Sequence, residues 1–160
     1  MNHKQSWEKL LSPLFDTLLK ENIEYCVCGN YENLPFYTDN DVDIWTNDVK
    51  KTFEILKDIA NSVSIKCYLV NKTSNGYNCF FYSCDSSLGE NRIFHIDILK
   101  ETCWYPFITL VPSKEIKNNR MLYNNIYVAN DLIDAVNHFT FSLSHFNKIR
   151  DKYKEDIFIQ

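Results

Sequence analysis

Near the start of the chain, apolar residues recur at helical spacing: Leu10, Leu11, Leu14, Phe15, Leu18 and Leu19. That is the one-sided stripe of a helix packed on a core. Ser12-Pro13 falls within it, either as an N-cap with proline at the first helical position or as a kink in a longer helix. The period then shortens to two. Tyr25–Cys28 and Val42–Thr46 read as short strands around a loop from Gly29 to Asn40. Asp48 predicts the N-cap of a helix carrying Val49, Phe53, Leu56, Ile59 and Ala60 on one side. Ser64–Val70 and Tyr77–Cys84 read as a hairpin through Ser74-Asn75-Gly76. Gly89-Glu90-Asn91 then turns the chain into a strand over Arg92–Leu99. Further on, Trp104–Leu110 reads as extended, Pro112-Ser113-Lys114-Glu115 opens a short helix, and Asn124-Asn125 joins two small strands. Asn130 or Asp131 caps a final helix whose apolar side is Leu132, Ile133, Val136, Phe139, Leu143 and Phe146.

This order predicts an α+β fold: a mixed β-sheet with helices packed on one face, followed by a C-terminal helical segment. The 160 residues suit a single domain over 1–160, with a core over about 6–110 and a helical extension over about 111–160. Hydrophobic residues at 45% and aromatics at 15% are enough to build that core. A net charge of −4 argues against a nucleic-acid partner, which calls for a basic face. No run approaches the roughly 20 apolar residues of a membrane span, and the N-terminus carries no signal-peptide core, so a cytoplasmic location is expected. In that compartment the six cysteines are reduced thiols. None forms a C-x-x-C pair, so they read as small buried hydrophobes rather than zinc ligands.

Two strands carry unusual chemistry. In Asp41-Val42-Asp43-Ile44, alternation points Val42 and Ile44 to the core and both aspartates away from it. In Phe94-His95-Ile96-Asp97-Ile98, Phe94, Ile96 and Ile98 face the core while His95 and Asp97 share the other side. Aspartate is a poor strand residue, so such placements need a reason. If the strands are neighbours, three carboxylates converge, and like charges at close range oppose each other's ionisation. A divalent cation with oxygen ligands, Mg²⁺ above all or Mn²⁺, relieves that repulsion. His95 is a candidate ligand, a proton carrier, or only a local hydrogen-bond partner. Trp45 falls on the same strand face as the aspartates. Arg92, Lys117, Arg120 and Lys148, the last beside Arg150 and Lys152, are the candidate phosphate-binding cations.

Gly29-Asn30 after the first strand, Asp41-Val42-Asp43 a dozen residues later, and Ile96-Asp97-Ile98 further on together resemble the nucleotidyltransferase fold of the polymerase β superfamily. The resemblance spans about Tyr25 to Leu99. A looser likeness extends over nearly the whole chain. It is carried by Tyr25-Cys26-Val27-Cys28-Gly29-Asn30-Tyr31-Glu32-Asn33-Leu34-Pro35 and by Lys148-Ile149-Arg150-Asp151-Lys152-Tyr153. Those stretches resemble small nucleotidyltransferase-like proteins of bacterial surface-polysaccharide clusters. The family resemblance implies that Asp41 and Asp43 ligate metal and that Asp97 ligates metal or acts as general base. It also implies that backbone N–H groups at Gly29 and Asn30 cradle the phosphates of an NTP donor. Two ions about 3.5–4 Å apart can stabilise both the attacking and the leaving oxygen of an in-line displacement. The acceptor implied is a small molecule or sugar-linked group. The alternatives are transfer of a phospho-substituent in glycan assembly and an inactive relative that binds a nucleotide or a partner. Two positions depart from the family pattern: Asn30 stands where Ser is usual, and Glu32 follows where a basic residue is common.

Overall fold

The computed structural model describes residues 7–38, 40–83, 93–104, 108–146, 148–149, 151 and 154. Helix α1 (Glu8–Lys20) runs straight through Pro13, so the continuous helix is the alternative that forms. Leu10, Leu11, Leu14 and Leu18 are completely buried along it. Burial of one such side chain contributes roughly 1.5–3 kcal/mol, so the stripe outweighs the roughly 3 kcal/mol that an interior proline costs. Helix α2 (Val49–Ser62) starts as its sequence predicts, with the Asp48 carboxylate accepting the Lys51 N–H at 3.0 Å. Leu56 and Ala60 are buried, with Val49, Phe53 and Ile59 packed at the edge of the core. Thr52 ties the same helix to the sheet through a 3.0 Å bond between its hydroxyl and that of Thr46.

Seven strands form one mixed sheet in the order β3-β4-β5-β2-β1-β9-β8. They are β1 (Tyr25–Cys28), β2 (Val42–Thr46), β3 (Ile65–Lys72), β4 (Gly76–Ser83), β5 (Ile93–Leu99), β8 (Arg120–Tyr123) and β9 (Ile126–Ala129). The β3–β4 and β8–β9 pairs are the two hairpins expected from their turn residues. Asn124 and Asn125 both take positive φ at the second turn. Strands β2 and β5 run parallel, and β1 pairs antiparallel with β2 and parallel with β9. Of the extended run expected over Trp104–Leu110, Trp104 and Ile108–Leu110 fall in a separate two-stranded ribbon, β6 (Thr102–Trp104) with β7 (Ile108–Val111), and residues 105–107 lie outside the described residues. The turn at Gly89-Glu90-Asn91, Cys84 and Arg92 lie outside the described residues.

Alternation divides the sheet into two faces. Tyr25, Val27, Val42, Ile44, Phe94, Ile96 and Ile98 pack with α1 and α2 in the main core. On the other face Cys26, Trp45 and Ala129 pack with Val111, with Ile116 of α3 (Ser113–Asn118) and with Ile133 of α4 (Asp131–Phe146). Trp45 is core on that face, donating its indole N–H to the Ser113 hydroxyl at 2.9 Å. Cys26, Cys28, Cys67 and Cys79 are free thiols. None of the described helices is long and apolar enough to cross a membrane.

One expectation is corrected. Asn130 does cap α4, accepting the Ile133 N–H at 3.0 Å, but the predicted apolar side is not the buried side. Ile133 is buried and Val136 partly so, whereas Leu132, Phe139, Leu143 and Phe146 are exposed. The helix turns a polar stripe inward instead, for the reason described below.

Candidate active site

The β2–β5 register places the carboxylates. It sets Asp43 level with Asp97 and Val42 level with Ile96, so Asp41 at the mouth of β2 stands level with His95. On the outer side of β5, β4 brings Asn78 level with Asp97 and Phe80 level with His95. The adjacency of the two acidic strands is therefore a property of the fold. The loop that delivers Asp41 is pinned beneath: the Trp7 indole donates to the Thr38 carbonyl at 3.1 Å, and Leu34 is buried.

These groups are in contact. Asn78 donates its side-chain amide to Asp97 Oδ1. His95 Nε2 lies 2.9 Å from the same oxygen, and His95 Nδ1 lies 3.7 Å from Asp41 Oδ2. The imidazole is stacked on Phe80, with ring centroids 4.2 Å apart and planes 12° from parallel. The bond to Asp97 raises the His95 pKa, against the opposing effect of burial. Burial, and then the charges of Asp41 and Asp97, push the Asp43 carboxyl up to about 8. His95 partly offsets that shift and Asp134 adds to it. A carboxyl flanked by like charges is compensated here only in part by His95, and a divalent cation fits the remaining need.

The aspartates open on a cleft of about 380 Å³. Gly29 and Asn30 form one lip in the left-handed region, with φ of 74° and 51°. The opposite wall is built from Asn75, Glu101 and Thr102, held together where the Asn75 side chain bonds both backbone groups of Glu101. The roof is α4. Asp134, Asn137, His138 and Phe141 line the cleft from it, at the i, i+3, i+4, i+7 spacing of one helix face. That polar stripe is the signal by which sequence reasoning could have found these residues. Because α4 closes a polar cleft, its polar side faces inward and much of its apolar side is left outside.

Asp41, Asp43, Asp97, Gly29 and Asn30 are thus brought to one cleft, and His95 joins them as the partner of two of the aspartates. The predicted cations are not brought there. Lys117 pairs with Glu24 at 2.7 Å, at the end of β1 away from Gly29. Arg120 sits over the Tyr127 ring at 4.5 Å and donates to the Tyr25 carbonyl at the same far end. Backbone register does not set this for Arg120, which lies level with Ala129, one residue beyond the Val128–Val27 pair on the Gly29 side; its side chain turns back over Tyr127 to reach the Tyr25 carbonyl. Lys148 lines a separate depression with Ile149, Asp151 and Lys154, and Arg92 lies outside the described residues. Glu32 is exposed and does not line the cleft. Among the described lining residues five are acidic and none is lysine or arginine.

No protein-family model and no curated protein sequence matches the chain. Solved structures do. ANT(2")-Ia, crystallised in complex with adenylyl-2"-tobramycin, superposes with a TM-score of 0.51 at 10% identity, covering 92% of this chain and 83% of that one. An antigenic nucleotidyltransferase-like protein from Paracoccidioides brasiliensis superposes with a TM-score of 0.54 at 12% identity, covering 96% and 76%. The α+β architecture, with its seven-stranded mixed sheet, is a nucleotidyltransferase-like fold.

Proposed function

We propose that this protein is a metal-dependent nucleotidyltransferase that moves a nucleotidyl group from an NTP to a hydroxyl of a small-molecule acceptor. The observation that carries the reading is the parallel register that sets Asp43 beside Asp97, with Asp41 at the mouth of the same strand. Asp41, Asp43 and Asp97 are the residues that would hold Mg²⁺ or Mn²⁺. When bound, the ion supplies Lewis-acid stabilisation of the attacking and leaving oxygens. Asp97 meets Asn78 and His95 through Oδ1; we assign Oδ2 to receive the acceptor's proton. The acceptor oxygen then bonds to the α-phosphorus as the bond to the pyrophosphate oxygen breaks. Backbone N–H groups at Gly29 and Asn30 meet the phosphates.

The charge of the cleft bears on the acceptor. Glu101 and Asp134 add two carboxylates beyond the three assigned to the metal, with no lysine or arginine among the described lining residues. Such a wall favours a cationic acceptor over an anionic one. The neighbour in complex with adenylyl-2"-tobramycin is consistent with a nucleotide-linked small molecule as the product.

The test is release of pyrophosphate from each NTP with Mg²⁺ or Mn²⁺ and a panel of amino-bearing and sugar-linked alcohols. Turnover with one NTP, reduced at least about 100-fold in Asp43→Asn and in Asp97→Asn, is the expected result. Turnover unaffected by either substitution would sink the assignment. A second reading, an inactive relative that binds a nucleotide, is favoured by Asn30 at the phosphate lip and by the lack of lysine and arginine in the described lining. Its outcome in the same assay is metal-dependent nucleotide binding without turnover.

A further inference from the structure

The donor atoms set closest together are not those of the three carboxylates. Asp41, His95 and Asp97 each contribute one atom to a group lying within 4.8 Å of one another. The histidine is in place because of the sheet: it stands level with Asp41 across the β2–β5 pair and two residues before Asp97 on the same side of β5. Its ring is fixed by the Phe80 stack from the neighbouring strand. One ring nitrogen meets Asp97 at 2.9 Å while the other points towards Asp41 at 3.7 Å. A histidine that binds metal through one nitrogen ordinarily gives the other to a carboxylate, which fixes its tautomer and ring orientation. Asn78 in turn orients Asp97.

We propose that His95 is a direct nitrogen ligand of the cation in this cleft, together with Asp41 and Asp97, and that it shifts selectivity from Mg²⁺ towards first-row transition cations. The chemistry follows from donor preference. Mg²⁺ is hard, keeps its water and takes oxygen ligands, whereas transition cations bind imidazole readily. The proposal rests on the metal-dependent reading above and sharpens it, because three carboxylates alone provide only oxygen.

Mn²⁺ is the probe, since it serves both as a ligand and as a spectroscopic reporter. Pulsed electron paramagnetic resonance of the protein with Mn²⁺ alone is expected to show hyperfine coupling to a directly bound imidazole nitrogen. The coupling should vanish in His95→Phe, which retains a ring on Phe80, and in His95→Asn as a second variant. Calorimetric titration is expected to show at least about a tenfold loss of Mn²⁺ affinity in both, the lower bound seen for loss of groups that merely support a ligand, with little change for Mg²⁺. Mn²⁺ bound without nitrogen coupling, or with coupling that persists in the variants, would overturn the role of His95 and leave the carboxylate site standing. Failure of wild type to bind Mn²⁺ at millimolar concentration would overturn both.

Discussion

At the scale of single residues, Asp43 is a strongly perturbed acid. Its carboxyl titrates near 8 in the fold against 3.8 for an ordinary aspartate, chiefly through burial and then through Asp41 and Asp97. The folded protein therefore binds more protons than the unfolded chain between those values, and stability must fall as pH rises through them. His95 acts in the same direction: its pKa is raised, so its contribution is present below 6.5 and is lost as pH climbs through the folded value. Chemical denaturation of metal-free protein between pH 5 and 8 should show stability declining by up to ~1.4 kcal/mol per pH unit for the one Asp43 proton. Asp43→Asn should flatten that slope and raise stability at pH 8. An unchanged slope in the variant would show that Asp43 does not carry it. The alternating aspartates were legible in the sequence because strand period and poor strand propensity flag them together. His95 was legible only as one of three alternatives, because a strand histidine carries no further signal until Asp41 stands opposite.

Among the elements, the β3–β4 hairpin supplies a sharp test of how the cleft wall is held. At Gly76, opposite Leu99, an added Cβ would fall on the carbonyl oxygen of Ile98. Gly76→Ala should cost about 3 kcal/mol, the upper range for overpacking, and thermal unfolding would measure it. A shift too small to resolve would mean that β4 can slide outward. By contrast Asp48→Ala removes one capping bond and should cost only about 1 kcal/mol. Elements of this local kind were largely readable: the Asp48 cap, the Asn75-Gly76 and Asn124-Asn125 turns, and the α1 stripe each depend on neighbours in sequence. What was not readable depended on distant partners. The adjacency of β2 and β5 is fixed by sheet order, with some 50 residues intervening. The inward face of α4 depends on a cleft whose other walls come from residues distant in sequence, so counting its apolar residues selected the wrong side. Lys117 and Arg120 read as phosphate cations only while their partners, Glu24 and the Tyr25 carbonyl, were unspecified.

The whole molecule carries a modest net charge of −4, yet five acids line one cleft. For a cationic acceptor that concentration of charge should appear as salt dependence. Glu101→Gln should raise KM by up to about fivefold, the worth of roughly 1 kcal/mol, with kcat less affected. The difference from wild type should shrink as salt shortens the reach of the field. Steady-state kinetics at two ionic strengths would decide, and a KM insensitive to both changes would exclude Glu101 from acceptor binding. The strand order has its own consequence. The two acidic strands lie third and fourth among seven, with β3 and β8 at the margins. Amide hydrogens of β2 and β5 should accordingly exchange only through near-global opening, while the margins exchange through local fraying. Low concentrations of denaturant would then loosen the outer strands long before they disturb the carboxylates. The three carboxylates are seated in the part of the molecule expected to give way last, so a ligand that reaches them must come and go by the mouth of the cleft.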